Sequence, residues 1–310
     1  MKVLVIGASG FIGLPVAQAL VRAGHTVYGL TRSAEKAKQL AADEIIPIVG
    51  QVTETAPLLA LVPTLDVIIE AIGGTANLRA VSVDLLQAIS DAAKTSRPAQ
   101  GPKLSYIYTS GTWVHGHNTR EYVSDTTPLT SPVELVAWRP AVEQRVLSDS
   151  VLNGIVIRPS LCYGRSGSLL ATAFESAAQG KAMWYGYPNG RLATVHPDDL
   201  ADVYVRAAER AQTLGGIAFD VGNDSTESVV DFLMKLTEVS GAQGYELREP
   251  SNAFEQALGA TNLLRPYLAK SLLGWQPKKA GLVDGLGVYY AAWKASQDSQ
   301  QPKERLFAKV

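Results

Sequence analysis

The stretch VLVIGASGFIG, residues 3–13, decides the fold of this chain. Its apolar start predicts a buried β-strand, and three glycines at GxxGxxG spacing lead into a predicted helix over residues 11–23. Gly7 allows a tight turn, Gly10 lets backbone N–H groups approach a pyrophosphate, and Gly13 lets helix and strand pack closely. The N-terminal end of the helix faces the phosphates. The stretch therefore predicts a dinucleotide site made of Gly7, Ser9, Gly10, Phe11, Ile12 and Gly13; the alternative is a turn of the same shape without a ligand.

The composition of the 310 residues is typical of a globular enzyme with one large domain or two closely joined ones. Hydrophobic residues make up 46%, charged residues 18%, and the net charge is −1, which gives no electrostatic case for nucleic acid or an anionic membrane. Cys162 is the only cysteine, so we expect no disulfide and no metal site. The N-terminus enters a core strand at once, which leaves no room for a signal peptide, and no apolar run approaches the roughly 20 residues that span a bilayer. We expect a cytoplasmic protein.

The first half of the chain alternates apolar strand-like runs with amphipathic stretches, a rhythm typical of an α/β fold with a doubly wound parallel sheet. The predicted strands are 2–6, 26–30, 45–49, 66–70, 103–109 and 154–158, and the predicted helices are 11–23, 34–42, 55–61, 76–95 and 132–150. Beyond residue 160 the rhythm is irregular, with helices near 168–179, 198–212, 227–240, 260–273 and 281–296 and strands near 192–195, 217–221 and 245–248.

This change of rhythm predicts three parts. Residues 1–160 are the dinucleotide-binding core, and residues 161–296 form a smaller C-terminal substrate lobe together with part of the core sheet. The lobe is expected over the carboxyl ends of the strands, where ligands bind in open α/β sheets. Residues 297–310 are a polar tail that is expected to fray.

The end of the second predicted strand indicates which dinucleotide binds. A site that prefers NAD carries an acidic residue there for the ribose 2′-hydroxyl, whereas this chain has Thr31, Arg32 and Ser33. An arginine pairs with a phosphate that a carboxylate would repel. We therefore predict NADP(H), held in part by these three residues. The alternative for Arg32 is a solvated residue at a helix start.

Several further motifs occur in the order expected of a known family. They are Tyr108-Thr109-Ser110-Gly111, Val114-His115-Gly116, Val142-Glu143, Ile157-Arg158-Pro159-Ser160, Tyr163-Gly164, Val195-His196-Pro197-Asp198-Asp199-Leu200-Ala201, Val221-Gly222-Asn223 and Leu273-Gly274-Trp275-Gln276-Pro277. With the glycine stretch they make the chain resemble the extended short-chain dehydrogenase/reductases, the epimerase/dehydratase-like branch. The resemblance runs from Met1 to about Gly287. It implies a Rossmann-type core, a C-terminal substrate lobe, a small-molecule substrate, and a homodimer formed by the helices after strands four and five.

The resemblance also implies cofactor contacts at the ends of later strands. After strand four the glycine-rich segment suggests backbone close to the second phosphate or ribose, and after strand six the family's loop usually touches the nicotinamide carboxamide. The residues assigned on this basis are Ala71, Ile72, Gly73, Thr109, Arg139, Pro159, Ser160 and Leu161.

The family's catalytic residues are missing from this chain. The family uses a Ser or Thr, a Tyr and a Lys, the last two spaced YxxxK on the fifth helix. Alignment on Val142-Glu143 places Leu135 at the tyrosine position and Arg139 at the lysine position, and Gly111 stands at the usual Ser/Thr position. Leu135 carries no proton, and Arg139 can hold a ribose hydroxyl or phosphate but cannot act as a base.

Other residues are candidates to replace them. His115 follows the strand-five motif, and an imidazole transfers protons near neutral pH; the alternative is a structural histidine. Ser110 is a candidate to hydrogen-bond a substrate carbonyl; the alternative is that it only satisfies the loop backbone. Tyr163 is a candidate to face the substrate; the alternative is a packed aromatic residue. Trp113, Trp138, Trp184 and Tyr185 suggest a cleft for a flat or apolar molecule; the alternative is the hydrophobic core of the lobe.

These observations leave three hypotheses open. The first is an NADP(H)-dependent reductase or dehydrogenase that acts on a small aromatic or apolar carbonyl compound with a non-standard proton donor. The second is a non-redox enzyme, an isomerase, dehydratase or cyclase, on the same fold. The third is a non-catalytic NADP(H)-binding sensor.

Overall fold

The computed structural model describes residues 1–74, 77–165 and 168–300. Its centre is a seven-stranded sheet in the order β3-β2-β1-β4-β5-β7-β12, and every neighbouring pair is parallel. These strands are β1 (Lys2–Ile6), β2 (Thr26–Thr31), β3 (Ile46–Val49), β4 (Val67–Glu70), β5 (Ser105–Thr109), β7 (Asn153–Pro159) and β12 (Ala218–Val221). The predicted Rossmann-type α/β fold is confirmed.

Helices cover both faces of this sheet and build the rest of the molecule. They are α1 (Gly13–Arg22), α2 (Ala34–Ala42), α3 (Ala56–Leu59), α4 (Leu78–Ser96), α5 (Arg139–Leu147), α6 (Ala171–Ala178), α7 (Pro197–Glu209), α8 (Val229–Ser240), α9 (Ala253–Leu258), α10 (Leu268–Leu273) and α11 (Leu286–Gln300). Two 3-10 segments, Thr112–His115 and Glu134–Val136, lie between β5 and α5. No helix of the described chain is long and apolar enough to cross a membrane.

The sheet has a hydrophobic core on each face because side chains alternate along its strands. On one face Val3 and Val5 pack with the apolar stripe of α1 and with α7, which contributes Leu200 and Tyr204. On the other face Leu4 and Ile6 pack under α4 and α5. A sheet covered in this way opens to ligands only at the ends of its strands.

A third core lies in the C-terminal part of the chain. Trp184, Phe232 and Trp293 are buried there among residues of α6, α8 and α11. Four short strand pairs frame this region: β8 (Leu161–Cys162) with β11 (Thr194–Val195), β9 (Ala182–Tyr185) with β14 (Tyr245–Arg248), β10 (Arg191–Leu192) with β13 (Glu227–Ser228), and β6 (Asn118–Val123) with β15 (Asn262–Leu264).

Some predicted elements differ from those observed. The predicted helix over 260–273 is wrong in its first half, where β15 (Asn262–Leu264) pairs with β6, a strand that the polar sequence NTREYV did not indicate. The predicted helix over 132–150 begins only at Arg139, after the 3-10 segment Glu134–Val136. The predicted tail falls mostly on residues 301–310, which lie outside the described residues.

Candidate functional site

The turn after β1 is too tight for side chains. Gly7 has a φ of +90°, and a Cβ there would lie 2.4 Å from the carbonyl oxygen of Ala71. A Cβ on Gly13, the first residue of α1, would lie 2.1 Å from the carbonyl oxygen of Gly7. Only glycine is compatible with both contacts. The N-terminus of α1 is thereby brought against the end of β1, and the geometry fits a dinucleotide whose phosphates meet free backbone N–H groups.

A cleft of about 570 Å³ opens beside this turn, at the carboxyl ends of the central strands. It brings together three segments that sequence analysis assigned to the cofactor, namely residues 10–12, 71–73 and 159–161. The other described residues that line it are Gly74, Thr109, Ser110, Gly111, Thr112, Trp113, Val136, Arg139, Cys162, Ser168 and Leu169. Among the lining residues Ser160 has a buried Oγ without a hydrogen-bond partner in the described chain, and this atom points toward Gly222.

The end of β2 lies at the other side of the glycine turn. Ser9 Oγ and Thr31 Oγ1 are 3.0 Å apart, which ties this strand end to the turn. Ser33 caps α2 by accepting a hydrogen bond from the backbone N–H of Lys36, at 3.3 Å. Arg32 lies between them with an exposed side chain. A phosphate on the ribose of a dinucleotide bound along the turn would meet a cation here and no carboxylate at residues 31–33.

Arg139 is the only charged residue among the described residues that line the cleft. It is the first residue of α5, where Nη1 donates to Tyr108 Oη at 2.8 Å and to the carbonyl oxygen of Thr109 at 3.1 Å. The guanidinium carbon lies 4.7 Å from the centre of the Trp138 ring. These contacts fix the side chain in the cleft wall, and Nε and Nη2 have no partner within the described chain.

Ser110 also lines the cleft, but its proton is already used. Its Oγ donates to Oε1 of Glu143, and Oε2 of that carboxylate accepts from Arg158 Nε at 3.0 Å and Nη2 at 2.7 Å. A serine hydroxyl has one proton to donate and two lone pairs that can accept. In this arrangement Ser110 can therefore accept a hydrogen bond from a ligand in the cleft, but it cannot donate one to a substrate carbonyl.

The prediction that His115 supplies a proton is corrected by its position. Its side chain has no exposed surface, does not line the cleft, and places Nε2 2.7 Å from Oδ2 of Asp220 on β12. Asp220 Oδ1 also accepts a hydrogen bond from Arg158 Nη1 at 3.4 Å. His115 is therefore the far end of the buried hydrogen-bond network that begins at Ser110. A proton donor must reach the reacting atom directly or through one water. His115 lies in the wrong place for that role.

Most of the predicted aromatic residues lie away from the cleft as well. Tyr163 is buried and donates from Oη to the carbonyl oxygen of Ala280 at 2.8 Å, and Trp184 packs edge-to-face on Phe232 in the third hydrophobic core. Tyr185 is half-buried against the same core, and Trp138 packs under Arg139. Of the four aromatic residues predicted to form the pocket, only Trp113 lines the cleft.

Aliphatic side chains line the cleft where aromatic side chains were predicted. Val136 and Leu169 line the cleft, although nothing in their sequence context singled them out. Cys162 lies beside them, and burial raises the pKa of its thiol to about 12, so it is not a thiolate nucleophile. In the described residues no group of three or more metal-ligating side chains is arranged to hold a metal ion. The cleft is therefore a mainly apolar pocket with one cation in its wall.

The family follows from a comparison with known proteins. Residues 3–222 match the model of the NAD dependent epimerase/dehydratase family. The chain belongs to this family. The fold agrees: a dTDP-glucose 4,6-dehydratase from Bacillus anthracis, solved in complex with NAD, superposes with a TM-score of 0.80 at 15% identity and covers 96% of this chain and 98% of its own.

Two curated relatives of this family member are named as reductases. A 4-hydroxy-2-methyl-3-oxo-4-farnesyl-3,4-dihydroquinoline-1-oxide ketoreductase from Stigmatella aurantiaca is 26% identical over 274 residues, 85% of this chain and 79% of its own length. A 3-diazoavenalumate denitrifying reductase from a Streptomyces species is 26% identical over 323 residues, 93% of this chain and 99% of its own. Family and relatives together support an NAD(P)-dependent oxidoreductase or a related enzyme of the short-chain dehydrogenase/reductase type.

Proposed function

We propose that this protein is an NADP(H)-dependent reductase of a small aromatic or apolar carbonyl compound. The observation that carries the proposal is the cleft itself, which runs from the glycine turn to an apolar pocket whose one charged lining residue in the described chain is Arg139. An apolar pocket with few polar groups is typical of a small organic ligand. The two relatives named as reductases point in the same direction.

The cofactor assignment rests on the residues at the turn and at the end of β2. Gly7, Gly10 and Gly13 would hold the pyrophosphate against the start of α1, and Arg32 would pair with a 2′-phosphate. Pro159, Ser160 and Leu161, which line the cleft, would lie at the nicotinamide end. The chemistry that NADPH held by these residues would supply is hydride donation to a carbonyl carbon.

Arg139 is the proposed electrophilic group of the chemical step. Its unpaired N–H groups would donate to the substrate oxygen and stabilise the negative charge that develops there. The guanidinium keeps its proton, so it orients and stabilises but does not protonate. Ser110 accepts only, and Leu135 has no proton to give, so in this proposal water would supply the proton on the product oxygen.

A panel of ketones and aldehydes tests this proposal. We expect aromatic and aliphatic ketones to oxidise NADPH in the presence of the protein. The loss of absorbance at 340 nm measures this oxidation. Arg139→Met should lower kcat/KM by about 100-fold to 1000-fold, the effect of losing one preorganised oxyanion donor. Arg139→Lys, which keeps a cation, should lose less. Bound NADPH that no carbonyl compound oxidises would contradict the proposal.

One observation favours the non-redox alternative. The alignment on Val142-Glu143 predicts Leu135 where the family carries its tyrosine, and an isomerase, dehydratase or cyclase has different proton requirements from a reductase. Product analysis of the same reactions separates the two, since a non-redox enzyme converts its substrate while the absorbance at 340 nm stays constant. A sensor would bind NADPH and convert nothing.

A cytoplasmic location and a homodimer through α4 and α5 are also proposed, by analogy with the family. The exposed residues of α4 include Asp84, Gln87 and Asp91, so such an interface would be polar at its centre. Sedimentation equilibrium gives the mass in solution, and a monomer at all concentrations would contradict the dimer.

A further inference from the structure

Three large apolar side chains are exposed on segments that line the cleft or pack against one that does. Leu135 is 39% exposed, Leu169 is 40% exposed and Phe254 is 44% exposed. We call these three residues the apolar rim. Single exposed apolar residues are common on proteins, but a group of them next to a ligand pocket marks a binding surface.

Chain position or element packing links each rim residue to the cleft. Leu169 itself lines it, and Leu135 directly precedes Val136, which also lines it. Phe254 lies on α9, the short helix that packs against the 3-10 segment Glu134–Val136. A ligand that fills the cleft and extends outward would therefore pass from buried apolar side chains onto exposed ones.

The charges of the cleft limit what such an extension can be. Among the described lining residues the only cation is Arg139, and it is held in the wall by Tyr108 and Thr109. With the remaining N–H groups of Arg139 assigned to the carbonyl oxygen, a phosphate or diphosphate on the outer part of the substrate would find no second cation among these residues. A hydrocarbon needs no such partner and gains from every apolar surface that it covers.

We propose that the substrate is an amphiphile: a carbonyl head in the cleft and an aliphatic or prenyl-like chain that leaves it over the apolar rim. This inference rests on the proposed function, because it assigns the head group to the reductase site. It adds the substrate class, which is a hydrocarbon-tailed carbonyl compound and not a compact or phosphorylated one.

Calorimetry on the protein saturated with NADP⁺ tests the inference without turnover. The probes are 2-butanone, 2-hexanone, 2-octanone and 2-decanone, which share one head group. We expect Kd to fall along the series, by up to about fourfold for each added methylene that is fully buried. A Kd that does not change with chain length, or no binding of 2-decanone, would overturn the inference.

Variants of the apolar rim test where the hydrocarbon tail of the substrate lies. Leu169→Ser and Phe254→Ser should flatten the dependence of Kd on chain length, whereas Val288→Ser, which changes a 72% exposed residue of α11, should leave it as in the native protein. If Kd depends on chain length equally in all three variants, the assignment of the hydrocarbon tail to the rim is overturned. The outcome is separate from that of the reductase proposal, because ketones can bind with this slope whether or not NADPH is oxidised.

Discussion

Arg139 and Leu135 define the chemistry of this site at the scale of single residues. Alignment of the sequence predicts that Arg139 stands at the family's lysine position and Leu135 at its tyrosine position, which would leave the site with a cation and without a phenol. The guanidinium is anchored at 2.8 Å to Tyr108 Oη, whose own pKa is raised by burial, so the phenol stays protonated. A fixed hydrogen-bond donor that never deprotonates suits the stabilisation of an oxyanion.

Arg32→Asp tests the cofactor assignment. We expect the affinity for NADPH to fall by about 10-fold to 100-fold, the equivalent of about 1–3 kcal/mol for a lost charge-assisted hydrogen bond, while the affinity for NADH stays within a factor of about two. Calorimetric titration measures both. Lys38→Asp, the same charge change on an exposed position of α2, is the control. Unchanged NADPH affinity in Arg32→Asp would exclude the contact with the 2′-phosphate.

Trp184→Ala distinguishes a core residue from a substrate residue. Trp184 is fully buried against Phe232, so its loss should lower the free energy of unfolding by about 3–5 kcal/mol. Tyr187→Ala, at a position 52% exposed, should change it by less than about 0.5 kcal/mol. Urea denaturation gives both values. A Trp184→Ala protein of native stability with weakened ketone binding would restore the original prediction of a pocket role.

At the scale of elements, buried charges join α5, β7 and β12 behind the cleft. Glu143, Arg158 and Asp220 come from these three elements, and each is almost fully buried. Together with Ser110 and His115 they form one connected set of hydrogen bonds. Such a network contributes little stability as a whole but is costly to interrupt, since a partner then remains buried and unpaired.

Glu143→Ala interrupts this network. We expect the free energy of unfolding to fall by about 3–5 kcal/mol, because Arg158 loses its two-bond carboxylate partner inside the protein. Glu134→Ala removes an exposed carboxylate nearby and should change stability by less than about 0.5 kcal/mol. Thermal and chemical denaturation both report the difference. Equal stability of the two variants would mean that Glu143 is dispensable to the fold.

Elements with strong local patterns were predictable, and those made by long-range pairing were not. The strands from β1 to β7 that form the central sheet each contain a short, mainly apolar run, and their predicted positions agree with the structure to within about two residues. β6 and β15 exist because they pair with each other across nearly half of the molecule's sequence, and NTREYV alone is too polar to indicate a strand. Tertiary contacts decide such segments.

The site was predictable in its backbone but not in its side chains. Glycine spacing and strand ends indicated the segments that meet at the cleft, because the carboxyl ends of parallel strands share one edge. Residue type does not tell which way a side chain points, so His115, Tyr163 and Trp184 were assigned to the cleft while their contacts turn them into the interior. Leu169, which has no distinctive context, faces the cleft instead.

At the scale of the whole molecule, His196 couples stability to pH. It caps α7, and its ring contacts Tyr163 and Tyr289 of the C-terminal region. Burial lowers the pKa of this histidine below its ordinary value of 6.5, against the opposing effect of Asp198. The unfolded chain then binds the proton more tightly than the folded one does, so acid favours unfolding.

We therefore expect the contribution of His196 to stability to be fully present above pH 6.5 and to be lost as the pH falls through 6.5 toward the lowered folded pKa. His196→Asn keeps a side-chain oxygen for the helix cap and cannot titrate. When the pH is lowered from 7 to 5, the unfolding free energy of the native protein should fall by more than that of the variant. A difference that is constant with pH would contradict this linkage.

Calorimetric titration of the native protein with NADPH and with NADH tests the central claim most directly. The cleft and the end of β2 predict that NADPH binds with a Kd at least about 10-fold lower than that of NADH, the effect of one charge-assisted contact to the 2′-phosphate. Equal affinities, or tighter binding of NADH, would contradict the assignment of NADP(H). Failure of both to bind would contradict the cofactor site itself.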